Sequence, residues 1–114
     1  MIWKIRIMKP AQMEMREIWR YIAEELHNPV AASKRILLID DAIQSLKENP
    51  ARYPLVRDDY LASKGYRLIV VKKHLVFFIV HEKLQVVSVM RVLFGRRDWV
   101  RLLRVESEQL EYEE

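Results

Sequence analysis

Apolar and polar positions along this chain change period several times, and each change marks an element. Residues 2 to 8 alternate, with Ile2, Lys4, Arg6 and Met8 on one side and Trp3, Ile5 and Ile7 on the other, which predicts a first strand. Lys9-Pro10 closes it. Ala11, Met15, Ile18, Ile22 and Leu26 then recur at steps of four, three, four and four. That spacing is one face of an amphipathic helix, widened by Tyr21. Asn28-Pro29 breaks this helix and opens another, because Asn28 suits an N-cap and Pro29 a first helical position where no N–H is needed. Ala32, Ile36, Ile39, Ala42, Ile43 and Leu46 share one face of the second helix. It stops at Asn49-Pro50, since the residue before proline disfavours helical backbone. So short a link makes the two helices an antiparallel hairpin, whose apolar faces need a sheet against them.

Three strand-like segments supply that sheet: Tyr66 to Lys72, Leu75 to His81 and Gln85 to Leu93. Their short connections, Lys73-His74 and Glu82-Lys83-Leu84, force neighbours to run antiparallel, because a parallel return needs a dozen residues or more. Residues 50 to 64 carry two prolines, Asp58-Asp59 and Ser63 and read as a loop. After the meander, Arg96 to Arg104 fits a short terminal helix with Trp99, Leu102 and Leu103 apolar. The expected fold is α+β, in two layers. It has an N-terminal strand, a helical hairpin, an antiparallel three-stranded meander that the first strand joins, and a short C-terminal helix. Residues 1–105 form one domain and 106–114 an acidic C-terminal tail, frayed or an extension of the last helix.

Composition narrows the class. With 114 residues, 51% hydrophobic and 32% charged, the chain is a single globular domain. No apolar run reaches the length of a membrane span, and Met1 to Arg6 interleaves charge with apolar residues where a secretory signal would not. No membrane partner is expected, and the localisation expected is cytoplasmic. Without cysteine, and with His27, His74 and His81 in separate segments, neither a disulfide framework nor a metal site is expected, and no cofactor is implied. The net charge of +4 hides a division. The last nine residues hold five glutamates and no base, so residues 1–105 keep 20 basic against 11 acidic side chains, a net of +9. Such a body attracts polyanions or an acidic protein.

Several strings carry a resemblance. They are Asn28-Pro29-Val30-Ala31-Ala32, Leu46 followed by Asn49-Pro50, Gly65-Tyr66-Arg67, Val76 to Val80, and Arg91-Val92-Leu93-Phe94-Gly95-Arg96-Arg97-Asp98. Together, over roughly residues 2 to 104, the chain resembles the RelE/ParE superfamily of bacterial type II toxins, closer to the ParE-like plasmid-stabilisation (addiction-module) branch. The resemblance implies a toxin encoded beside an antitoxin that covers its working surface. ParE-like members act on DNA gyrase and have no known hydrolytic chemistry. RelE-like members are metal-independent endoribonucleases that cut mRNA in the ribosomal A site. A shared fold does not choose between them.

Metal-free RNA cleavage needs a base for the 2′-hydroxyl, cations at the phosphate and an acid for the leaving oxygen. Cations are plentiful: Arg67, Lys72, Lys73, Arg91, Arg96 and Arg97 are the expected partner- or nucleic-acid-binding residues. By the resemblance, Arg67 and Arg91 occupy positions comparable to basic residues on the middle strands of RelE-like toxins. Those members carry an arginine within the strand that here runs Leu75 to Val80 and has none. Phe94 stands where many relatives have histidine, and aromatic carbon transfers no proton. The remaining catalytic candidates are Arg67, Arg91, and His81 or His74 as base. Both histidines also suit plain solvated turns. Asp58 or Asp59 could act as base, although their spacing singles out neither. Arg96 and Arg97 alternatively pair with Asp98 at a helix start. The leading expectation is therefore a toxin that binds gyrase or a similarly large target. The alternatives are a ribosome-dependent mRNA endoribonuclease and a non-toxic degenerate member. All three expect a cognate antitoxin, with acidic residues facing a basic concavity shared by Arg67 and Arg91.

Overall fold

A computed structural model describes residues 2–95 and 98–113, without the side chains of 111–113. Strand β1 spans Lys4–Ile7 and helix α1 Lys9–Arg20, with Pro10 in its first turn. The helix does not stop at Arg20 but widens into a π-helical turn over Tyr21–Glu25, where Leu26 N–H reaches back five residues to the Tyr21 carbonyl at 3.1 Å. His27 then takes a positive φ of 52°. Helix α2 spans Pro29–Gln44, capped by the Asn28 side chain, which accepts from Ala31 N–H. A 3-10 turn, Ser45–Lys47, finishes it just before Asn49-Pro50.

Residues 50–64 are more ordered than a bare loop. They hold a 3-10 turn at Pro50–Arg52 and a short helix, α3, at Asp59–Ser63. The Asp58 carboxylate accepts from Leu61 N–H at 3.0 Å, and Gly65, at φ 89°, turns the chain out of α3, a conformation glycine adopts without strain. The meander follows as β2 (Tyr66–Val71), β3 (His74–His81) and β4 (Val86–Phe94). Helix α4 spans Trp99–Glu113. It begins later than the expected Arg96 to Arg104 and runs on through most of the acidic segment.

The sheet order is β1-β4-β3-β2. β1 joins parallel to β4 over Val86–Val89, and the other pairs are antiparallel. The expected hairpin packs on one face, where Ala11, Ile39, Ile43, Leu46, Phe78, Val87 and Val89 form a buried cluster. Beyond that arrangement, α3 and α4 roof much of the other face. There Leu61, Tyr66, Phe77, Leu93 and Leu103 form a second cluster, and the Trp99 ring lies 5.0 Å from that of Phe77. Burying each of these large side chains contributes roughly 2–3 kcal/mol. Among the described residues no helix is long and apolar enough to cross a membrane.

One irregularity in β4 organises the edge of this assembly. Phe77 faces Arg91 while Phe78 faces Val89, so Met90 is an extra residue in β4, a β-bulge. It resets the alternation: Val87, Val89 and Val92 face the hairpin, whereas Met90 and Leu93 face α4. β1 ends at Ile7, leaving the outer half of β4 without a strand on that side. Glu14 of α1 takes its place, accepting the Val92 N–H at 3.1 Å. The same carboxylate receives Arg91 through Nε at 2.9 Å and Nη2 at 2.6 Å. Arg91 Nη1 reaches Glu106 of α4 at 3.0 Å, and the Tyr66 hydroxyl donates to Glu106 at 3.3 Å. One guanidinium thus ties α1, β4 and α4 together. Arg91→Met leaves two half-buried carboxylates without their cation, so it is expected to cost about 3 kcal/mol in urea unfolding. The triple change with Glu14→Gln and Glu106→Gln should recover part of that loss. A cost under about 1 kcal/mol for Arg91→Met alone would show that the tie is dispensable.

Candidate interaction groove

The two arginines singled out in the sequence do not share a surface. Arg67 pairs with Phe78 on the edge strand β2 and lies on the hairpin face with Ile69. Its Nη1 donates to the carbonyls of Tyr53 at 2.6 Å and Ala51 at 3.3 Å, so it pins the 3-10 turn to the sheet. Arg91 lies two strands away, roughly 9.5 Å across the sheet, and is enclosed by Glu14 and Glu106. The Glu14 hydrogen bonds, ahead of the Glu106 contacts, hold its pKa above the ordinary arginine value. The expected common basic concavity is therefore absent. A long-range carboxylate took each of Arg91's faces, and loop carbonyls took Arg67.

The histidines are also separated. They are the first and last residues of β3, roughly 23 Å apart along the strand. His81 Nε2 meets Ser88 Oγ at 3.0 Å, and Arg6 donates to the same oxygen at 3.2 Å. His74 is only 7% exposed. Its Nδ1 lies 3.2 Å from Arg35 Nη1, and its ring sits edge-on to Phe94 at 5.7 Å. Burial first, and then the neighbouring arginine (Arg35 for His74, Arg6 for His81), lowers both imidazoles below the usual 6.5. Asp58 caps α3 and pairs with Arg104 of α4 at 2.7 Å. That arginine first, then the Leu61 N–H, holds its carboxyl below the ordinary carboxylate value. Burial and the Glu106 carboxylate push the Tyr66 phenol up. Arg96 and Arg97 lie outside the described residues.

What the structure does assemble is a groove of about 770 Å3 between the tip of the helical hairpin and the ends of β3 and β4. Ile18, Tyr21, Ile22, Leu26, Val92 and Phe94 give it apolar walls, and Arg35 and His74 stand within it. The π-helical turn contributes Tyr21 and Ile22, and such turns recur at functional sites because they displace side chains from the regular helical path. Tyr21 is 53% exposed, Leu26 55% and Phe94 40%, a grouping that solvent alone does not favour. Lys72 and Lys73, exposed in the tight turn between β2 and β3, border a smaller depression that shares Phe94 with the groove. Of the cations expected to bind a partner, these two are placed beside it. Arg35 was not among the residues singled out in the sequence. Its only local signal is a charge one turn after Ala32 and one turn before Ile39, both buried, on a helix whose neighbours at that face are apolar. Nothing in that spacing says that β3 begins opposite it.

Residues 5–99 match the family model described as the ParE toxin of type II toxin-antitoxin system, parDE. No curated protein matches the chain significantly. Among solved structures, the fold is similar to the chromosomal ParDE toxin-antitoxin system from P. aeruginosa. The TM-score is 0.67 at 14% identity, over 82% of this chain and 96% of that one. It is also similar to the toxin-antitoxin complex RelBE2 from Mycobacterium tuberculosis. There the TM-score is 0.59 at 15% identity, over 82% of this chain and 99% of that one. The archaeal RelE-RelB complex from Pyrococcus horikoshii OT3 follows, with a TM-score of 0.50 at 15% identity, over 85% and 99%. At such identities the likeness is one of fold.

The two lowered imidazoles make stability depend on pH. In the unfolded chain they titrate near 6.5, and in the folded chain below it. As pH falls through 6.5 the unfolded state binds more protons than the folded one. The stability they confer is complete above 6.5, declines on acidification and levels off below the folded pKa values. Urea midpoints measured from about pH 7.5 down to about pH 5 are expected to fall, and His74→Gln/His81→Gln should flatten that slope. An unchanged slope in the double variant would assign the dependence to other groups.

Proposed function

The chain belongs to the ParE toxin family of type II toxin-antitoxin systems, and on that premise we propose that it acts by docking on a large target, DNA gyrase, without hydrolytic chemistry of its own. The engagement of Arg91 by Glu14 and Glu106 carries this reading. The cation best placed by sequence to stabilise a phosphate is already neutralised within the fold. Arg67 is occupied by loop carbonyls, and Phe94 ends β4 with a side chain that cannot move a proton. These features favour binding over RNA cleavage.

Its second partner is a cognate antitoxin, an amphipathic and acidic segment seated in the groove. The apolar walls supply the area, Lys72 and Lys73 border the adjoining depression that meets the groove at Phe94, and the net +9 of residues 1–105 favours an acidic companion. The ParDE and RelBE structures named above are of toxin-antitoxin assemblies, in keeping with this partner.

Purified protein added to gyrase is expected to block supercoiling and trap cleaved DNA. Unaffected supercoiling together with codon-associated cuts in mRNA would replace this reading with the endoribonuclease. Unaffected supercoiling with uncut mRNA and normal growth would favour a non-toxic member. For the antitoxin, Ile22→Glu places an unpaired charge in the apolar wall. It should weaken binding by at least roughly a hundredfold while leaving the melting temperature nearly unchanged. Affinity within twofold of the parent would place the antitoxin elsewhere.

A further inference from the structure

We infer that the groove reads a carboxylate: Arg35, presented by α2 and steadied by His74, binds one acidic side chain of the segment that lies between the apolar walls. This rests on the antitoxin reading above and adds a specific recognition point to it.

The charges around the groove differ in what they already hold. Glu14 is committed to Arg91 at 2.6 Å. Glu17 and Arg20 hold each other at 3.1 Å, with Glu24 and Glu25 also within 3.6 Å of Arg20. Arg35 is different. Among the described residues it meets no carboxylate, and its recorded partner is the imidazole of His74 at 3.2 Å. A guanidinium has only donors, so His74 Nδ1 accepts and the ring is neutral with its proton on Nε2. A neutral ring orients Arg35 without cancelling its charge. The ring itself cannot swing freely, being buried and edge-on to Phe94. Arg35 is half-buried, and one of a guanidinium's five donors is used by His74.

A fixed, uncompensated guanidinium beside Ile18, Ile22 and Leu26 suits a planar two-oxygen anion, which it can bind through paired N–H donors. Partial removal from water strengthens that bond over one made at the rim by Lys72 or Lys73. The occupant that fits is an amphipathic segment with apolar anchors and a single Asp or Glu reaching the α2 side of the channel. The rim lysines steer it, and Arg35 sets its register.

The test is calorimetric titration of the protein with the full antitoxin encoded beside it, using Arg35→Gln and Arg35→Lys, with the antitoxin's acidic residues replaced one at a time by their amides. Arg35→Gln is expected to weaken binding roughly ten- to a hundredfold, with Arg35→Lys recovering part of the loss. One antitoxin acid should give the same loss, and combining it with Arg35→Gln should add little more. Arg35→Glu with that acid changed to Arg should restore binding, which also excludes misfolding as the cause. If Arg35→Gln binds within twofold while Ile22→Glu fails to bind, the carboxylate reading is overturned and the groove stands. If neither variant matters, the groove reading falls with it. A loss at Arg35 that couples to no acid overturns the inference as well.

Discussion

A single guanidinium at a strand bulge sets much of this structure. β1 is four residues long and covers only part of β4, so the outer half of β4 would leave donors exposed at a sheet edge. The bulge at Met90 turns Arg91 toward that edge. Glu14 and Glu106 then approach from α1 and α4, on either side of the sheet. The pairing satisfies the Val92 N–H through the same Glu14 carboxylate. A partly buried charge must be met in this way, because an unpaired one costs several kcal/mol. The helical hairpin and the last helix are therefore anchored to one point on the sheet.

The groove follows from that anchoring. α1 is held to β4 at Glu14, one helical turn before Ile18. Past Arg20 the helix loosens into its π-helical turn and carries Tyr21 and Ile22 over the ends of β3 and β4. A channel with apolar walls opens between the hairpin tip and the strands. A basic protein that keeps its central arginine for its own framework has to meet partners with what remains. Here that is an apolar channel, one oriented arginine and a pair of lysines at the rim. Such a surface is suited by shape and a few charges to the amphipathic acidic segment proposed above.

Local chemistry was legible in the sequence wherever it acts over a few residues. Asn28-Pro29 capped α2, Asn49-Pro50 ended the hairpin, and the short connections made the meander antiparallel. The helix α3 was legible in retrospect, since Asp58 three residues before Leu61 and Gly65 after the turn are its cap and its exit. What periodicity cannot carry is pairing at a distance. Glu14 lies 77 residues from Arg91, and Glu106 falls in a stretch whose composition reads as a solvated tail. Arg91 consequently reads as a free cation in an apolar strand, and only the fold shows that it is not. Arg35 escaped for the same reason, because its significance comes from His74, which lies 39 residues away.

On the proposed function, partner binding uses the channel at the hairpin tip and leaves Arg91 in its internal tie. Amide hydrogen exchange on the protein with and without its antitoxin maps where the partner sits, and the Val92 amide, bonded to Glu14, reports on the Arg91 tie. The predicted result is added protection over residues 18–26, 31–35 and 92–94, with the amides of 66–69 unchanged. Protection concentrated on β2 around Arg67, with none at the hairpin tip, would contradict it.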